Sequence, residues 1–181
     1  MTDNTRSKNP IDRQEKTMQK IWLEEDVTLG ALAAHLRDSG LEITEEGSRI
    51  MLHTEAGIGY LLRLDMDRKF VRISTVLPLD PQQLLATRKD FALALNEDFF
   101  LSPFSVNDSG DLRISYVMSY RQGLIAGQFM AIVHRFGSLL DYLVAERNPD
   151  GVISFDAEEV SRDENSDDAT GHVSEPRGFL N

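Results

Sequence analysis

Tyr60-Leu-Leu-Arg-Leu-Asp-Met-Asp-Arg-Lys-Phe-Val-Arg-Ile-Ser-Thr-Val-Leu77 contains two alternating runs on either side of a short polar link. In the first run Tyr60, Leu62, Leu64 and Met66 share one side, and Leu61, Arg63, Asp65 and Asp67 share the other. In the second, Val71, Ile73, Thr75 and Leu77 oppose Phe70, Arg72, Ser74 and Val76. A period of two belongs to a β-strand, whose successive side chains point to opposite faces. Asp67-Arg68-Lys69 is short enough to make the pair a hairpin. One face is apolar and the other mostly polar, the pattern of an antiparallel sheet covered on one side only.

Working outward from the hairpin, more strands come first. Arg49–Thr54 precedes it across the turn Ala56-Gly57-Ile58-Gly59, and Leu41–Thr44 lies beyond Gly47. Further upstream, Glu24 to Ser39 has Leu29, Leu32, Ala33 and Leu36 at helical spacing. Asp26 or Thr28 can cap its start, and Gly40 suits a left-handed residue just past its end. Met18, Ile21 and Trp22 have helical spacing too and suggest a short extra turn.

Downstream, Asp80-Pro81 predicts a helix start, because proline tolerates the first helical position. Leu84, Leu85, Arg88, Phe91, Ala92 and Leu95 then form one stripe through Asn96. A second hairpin joins Phe104–Val106 to Asp111–Tyr120 through Asn107-Asp108-Ser109-Gly110. Its apolar face is Leu112, Ile114, Tyr116 and Met118. Leu124 to Arg147 is the longest helical pattern, with Ile125, Phe129, Ile132, Phe136, Leu139, Leu140 and Leu143 on one stripe. Gly127, Ala131 and Gly137 weaken its helix propensity and suggest close packing on the sheet. The resulting expectation is an α+β domain of order αββββαββα, a single antiparallel sheet with helices packed on one face.

The 181 residues suit one domain with tails. Hydrophobic residues make up 41% of the chain, enough for a core. The formal net charge is −11, and nine acidic side chains after Asn148 face only Arg162 and Arg177. The expected organisation is therefore a tail over 1–14, a body over 15–150 and an acidic tail over 151–181, both tails too polar to offset their ordering entropy. Acidity argues against general nucleic-acid binding and against docking on anionic membranes. No apolar run reaches the roughly 18 residues of a membrane helix, and Met1 to Lys20 lacks a signal peptide's apolar stretch. A cytoplasmic location is expected.

The motifs of chemistry are sparse. There is no cysteine, so thiolate ligands and nucleophiles are excluded. His35, His53, His134 and His172 do not pair at metal-binding spacing, and His35 and His134 read as solvated helix surface. Gly57-Ile58-Gly59 is half of a dinucleotide loop, but no helix follows, so it reads as a turn. Asp163-Glu-Asn-Ser-Asp-Asp168 lacks the glycine and distal glutamate of a calcium loop. Asp65 and Asp67 lie about 7 Å apart on one strand face. With Arg63, Arg68 and Lys69 near them, cross-strand charge pairing is the expected role. No catalytic residue, metal or cofactor is expected. The most notable patch is Phe99-Phe100-Leu101-Ser102-Pro103-Phe104 between a helix and a strand. Its rings either plug the edge of the core or form an exposed patch for association. Phe99, Phe100, Leu101, Phe104, Leu84 and Arg88 are the candidate partner or dimer surface.

Leu93-Ala-Leu-Asn96, then Phe104-Ser-Val-Asn-Asp108-Ser-Gly110-Asp-Leu112-Arg-Ile114, then a long terminal helix, resembles the YbjN-like family of candidate bacterial sensory transduction regulators. Ser39-Gly40-Leu41-Glu42-Ile43 after a short helix, and strands before Asp80-Pro81, agree with it. The likeness runs from about Val27 to Ala145. It implies a fold similar to type III secretion chaperones, and an acidic cytosolic protein without catalytic residues that dimerises and binds other proteins. Both tails lie outside it.

Two functional classes follow. The first is a non-enzymatic protein-binding regulator that uses sheet and helix surfaces, or, as a narrower version, a type III secretion chaperone holding an export client. The second is an enzyme assembling dispersed residues such as His53, Asp65, Asp67 and Arg72, which would have to converge in one pocket. The end of the chain, Pro176-Arg-Gly-Phe-Leu180, can also be read as a docking peptide.

Overall fold

The computed structural model describes residues 20–148 and 150–155. The expectations for residues 1–14, for the calcium-like run and for the terminal peptide lie outside the described residues. Among the described residues, three α-helices, α1 (Leu29–Asp38), α2 (Leu85–Asp98) and α3 (Ala126–Glu146), accompany eight strands. These are β1 (Ile21–Trp22), β2 (Ile43–Glu46), β3 (Arg49–His53), β4 (Gly59–Asp65), β5 (Phe70–Leu77), β6 (Phe104–Val106), β7 (Leu112–Ser119) and β8 (Leu124–Ile125). β2 to β7 form one antiparallel sheet in the order β2-β3-β4-β5-β7-β6. The α+β class and the helix-on-sheet arrangement are as the alternation implied.

The β4–β5 hairpin lies at the centre, with Leu62 opposite Ile73 and Leu64 opposite Val71. Its turn takes in Met66, which is exposed rather than on the apolar face. Asp65 Oδ1 accepts the amide N–H of Arg68 at 2.9 Å, and Lys69 adopts φ 61° to close the turn. Side chains from β3, β4, β5 and β7 line one apolar face: Ile50, Leu52, Tyr60, Leu62, Ile73 and Ile114 are all buried. α3 lies across that face. Phe129, Val133, Phe136, Leu140 and Leu143 are fully covered, and the Phe136 ring sits 5.6 Å from that of Tyr60. Of Gly127, Ala131 and Gly137 only Gly137 meets the sheet, where a methyl group would stand 3.5 Å from Tyr60 Oη. Gly127 and Ala131 face outward.

α1 begins at Thr28, whose hydroxyl accepts the Ala31 N–H at 3.1 Å. It ends in a Schellman motif: Leu41 N–H donates to Leu36 O, Gly40 N–H donates to Arg37 O, and Gly40 takes φ 85°. Of the described residues before Thr28, only Glu24–Asp26 is helical, as one 3-10 turn.

Several elements differ from the sequence expectation. Ile21 and Trp22 are not a helical turn; they pair antiparallel with Ile125 and Leu124. This small second sheet takes the first two residues expected in the last helix. A two-residue ladder has no periodicity to read, and it exists only because the two chain segments meet. α2 begins at Leu85, not at Pro81. Asp80 caps a turn instead, accepting the Gln82 N–H on its side chain and the Gln83 N–H on its carbonyl, while its own N–H donates to Val152 O. Packing also continues past the boundary expected at 150. Val152 and Ile153 are buried, Ile153 bridges Leu79, and Asn148 exchanges two 2.8 Å hydrogen bonds with Ile153.

His35 is not a solvated surface histidine. Its ring stacks edge-on to Trp22 at 4.9 Å and lies 6.4 Å from Phe129, so it joins β1, α1 and α3. Burial first, and then the Lys20 charge, lower its pKa from the ordinary 6.5, against an opposing pull from Asp38 and a backbone hydrogen bond at Ala126. A lowered folded value means that the unfolded chain takes up the proton more readily. This contribution is complete above pH 6.5 and is lost as pH falls toward the lower folded value. Denaturant unfolding between pH 7.5 and pH 5 is expected to show a steeper loss of stability for the native chain than for His35→Phe; equal slopes would refute the assignment.

Candidate functional site

The six residues expected to form a partner surface separate into two groups. Phe104 is 4% exposed and Phe99 packs partly against the same core, their rings 5.9 Å apart. Phe99 also meets Tyr142 of α3 edge-on at 6.0 Å. These two rings plug the edge of the core, and Leu101 is half-buried beside them. Arg88 is not free either: its Nη1 donates to Gly110 O at 3.0 Å and ties α2 to the turn between β6 and β7. A side chain on Gly110 would collide with that guanidinium, and the residue takes φ 86°. Phe100 and Leu84 remain, at 99% and 74% exposure.

The expectation of a single apolar stripe on α2 also changes. Ala92 and Leu95 turn into the core, while Leu85 and Leu93 face solvent with Leu84 and Phe100 flanking them. Two leucines thus stand on the exposed side of the helix, among Lys89, Asp90 and Glu97. Asn96 secures its inner side, donating to Phe104 O at 2.9 Å and accepting the Phe104 N–H at 2.8 Å. That two-way bridge caps the edge strand β6, which would otherwise offer a free peptide. At the opposite edge, β2 presents Glu45 and Glu46, paired with Arg37 and Arg49. Charged or very short edges discourage pairing with another strand.

The other face of the sheet is open and concave, enclosing about 830 Å³. Asp65 and Arg72 both line it, as do Arg63, Arg68 and Arg113. His53 stands at the far end of β3, opposite Gly59, and Asp67 is exposed in the hairpin turn. The four residues that an enzyme would assemble are therefore not brought together. Among the described residues the expected cross-strand charge pairing does not form: Arg63 lies directly opposite Arg72, and Asp65 opposite Phe70. Among the described residues no three histidine or carboxylate groups converge as metal ligands would, and no helix is long and apolar enough to cross a membrane.

The chain superposes on the crystal structure of YbjN from E. coli, a protein named as a candidate transcription regulator, with a TM-score of 0.60 over 74% of this chain and 98% of that one. This chain has the YbjN fold. Identity is 17%, so the likeness speaks to the fold. No protein-family model matches the chain, and no curated protein matches its sequence. Within the YbjN-like fold, Asn96 and the Asn107–Gly110 turn are the hydrogen-bonding centres of the second hairpin. Asn107 Oδ1 accepts the Asp111 N–H at 2.9 Å, and Gly110 takes the left-handed position.

The division of the aromatic patch can be measured. Phe104→Ala is expected to cost about 3–5 kcal/mol, as for other buried phenylalanines. Phe100→Ala should stay within about 0.5 kcal/mol. Urea unfolding of the two variants, finding equal losses, would contradict the assigned burial.

Proposed function

We propose that this chain is a non-enzymatic, regulator-type module of the cytosol, which engages a protein partner through the outer face of α2 and the loop after it. A second copy of the chain is the first such partner. The observation that supports this reading is the exposure of Leu85 and Leu93 on the outer side of α2, with Leu84 before the helix and Phe100 after it. An amphipathic surface helix keeps its outer side polar, so large apolar side chains standing there among Lys89, Asp90 and Glu97 depart from that pattern. Here Leu84, Leu85, Leu93 and Phe100 stand in solvent on or beside one helix. Patches of that kind mark association surfaces, and a fully exposed phenylalanine is a typical anchor. The sheet edges are poorer docking places, since β2 is charged and β6 is held by Asn96. The fold likeness supports the class, because a solved structure with this fold is named as a regulator.

Leu93→Glu combined with Phe100→Glu places two charges on that surface without touching the core. Sedimentation equilibrium is expected to show self-association of the native chain and a monomeric variant, with the variant's far-UV circular dichroism unchanged and its melting temperature equal to that of the native chain diluted to monomer. Should the native chain be monomeric, affinity capture must recover a protein that the variant does not. A native chain that is monomeric at every concentration and captures the same proteins as the variant would overturn the reading.

A further inference from the structure

The open sheet face is a basic surface on an acidic protein. Arg63, Arg68, Arg72 and Arg113 line the concavity against Asp65, whose Oδ1 already accepts the Arg68 amide. Among the described residues none of these four guanidinium groups has an ion-pair partner. Arg63 and Arg72 face each other across β4 and β5, and Arg49 stands opposite Arg63 on the other side. Like charges placed directly opposite destabilise a sheet. Four arginines around a single carboxylate, Asp65, are therefore an arrangement that an anionic occupant would relieve.

The chain carries such an occupant. The described residues end at Phe155, and the sequence continues Asp156-Ala-Glu-Glu159, then Asp163-Glu164 and Asp167-Asp168. Ser154 N–H donates to Pro78 O, and Ile153 bridges Leu79, so the chain leaves the body beside the end of β5. Arg72 is on that strand, six residues back, or about 20 Å at the strand rise per residue. Extended chain advances about 3.3 Å per residue, so the segment 156–168 spans that distance with residues to spare. A tether this short keeps the local concentration of the segment in the millimolar range. Carboxylates and guanidinium groups pair with two parallel hydrogen bonds, which adds geometry to the charge match.

We propose that the acidic segment Asp156–Asp168 docks in cis on the arginine-lined face of this chain's own sheet. Docking covers the face, so an external anionic segment must compete with the tail to reach it. This inference is independent of the α2 surface proposed above, since the two use different faces and different residues.

The absence of cysteine makes the test direct: Ser166→Cys gives the full chain one attachment point for a spin label. At about 20 mM salt the label is expected to broaden the amides of Arg63, Arg72 and Arg113 at least roughly threefold more than those of α3, and at about 1 M salt, where the Debye length is only about 3 Å, the difference should vanish. It should also vanish when Asp163→Asn, Glu164→Gln, Asp167→Asn and Asp168→Asn are combined, a set that leaves every described residue untouched. In a mixture of isotope-labelled chain and separate spin-labelled chain, the same broadening would assign the occupant to a second copy and overturn docking in cis. Broadening that is absent, uniform or indifferent to salt would overturn the docking altogether.

Discussion

A pleated strand shows a side chain to each side in turn, so a sheet covered by helices on one side must present the alternate residues on the other. In this chain α3 takes the covered side, with Phe129, Val133, Phe136 and Leu140 over Tyr60, Leu62 and Ile73. That packing settles where every other side chain of the sheet must go. Leu61, Arg63, Arg72, Ser74 and Arg113 face out because their neighbours face in. The two proposed surfaces are both consequences of this layering: one is the uncovered face of the sheet, the other the outer side of a helix whose inner side is held by the core.

The ends of the layers are secured by polar groups rather than by more apolar area. Asn96 and Asn148 act alike, each exchanging a donor and an acceptor bond with a backbone residue of another segment. An asparagine side chain carries the same donor and acceptor as a peptide, so it can terminate a ladder where no further strand is present. The buried hydroxyl of Thr75 serves similarly, donating to Gly59 O at 2.6 Å where β4 begins. Backbone groups at these ends would otherwise be buried unpaired, at a cost comparable to a lost hydrogen bond.

Charge shows the distance between an average and a distribution. A net charge of −11 describes an acidic protein, and it argues against anionic ligands only if the charge is spread evenly. The fold gathers four arginines on one concave face and leaves the acidic run to the end of the chain. Nothing in the order of residues around Asp65 indicated this. Arg63 and Arg72 come together only through the register of the hairpin, and that register replaces the expected opposite-charge pairing with a like-charge one.

The period-two runs at Tyr60–Leu77 and Leu112–Met118, the 3.6-residue stripe from Phe129 to Leu143, and the turns at Gly40, Gly57 and Gly110 were legible in the sequence. They determined the class, the order of the main elements and the apolar side of each. Those signals are local, since each depends on residues a few positions apart. The ladder of Ile21–Trp22 with Leu124–Ile125, the inward turn of Phe99 and Phe104, the place of His35 between Trp22 and Phe129, and the packing of Val152–Ile153 were decided only by tertiary structure. Each of these depends on a neighbour distant in sequence, or on which side of a loop meets the core, and no spacing along the chain records that choice.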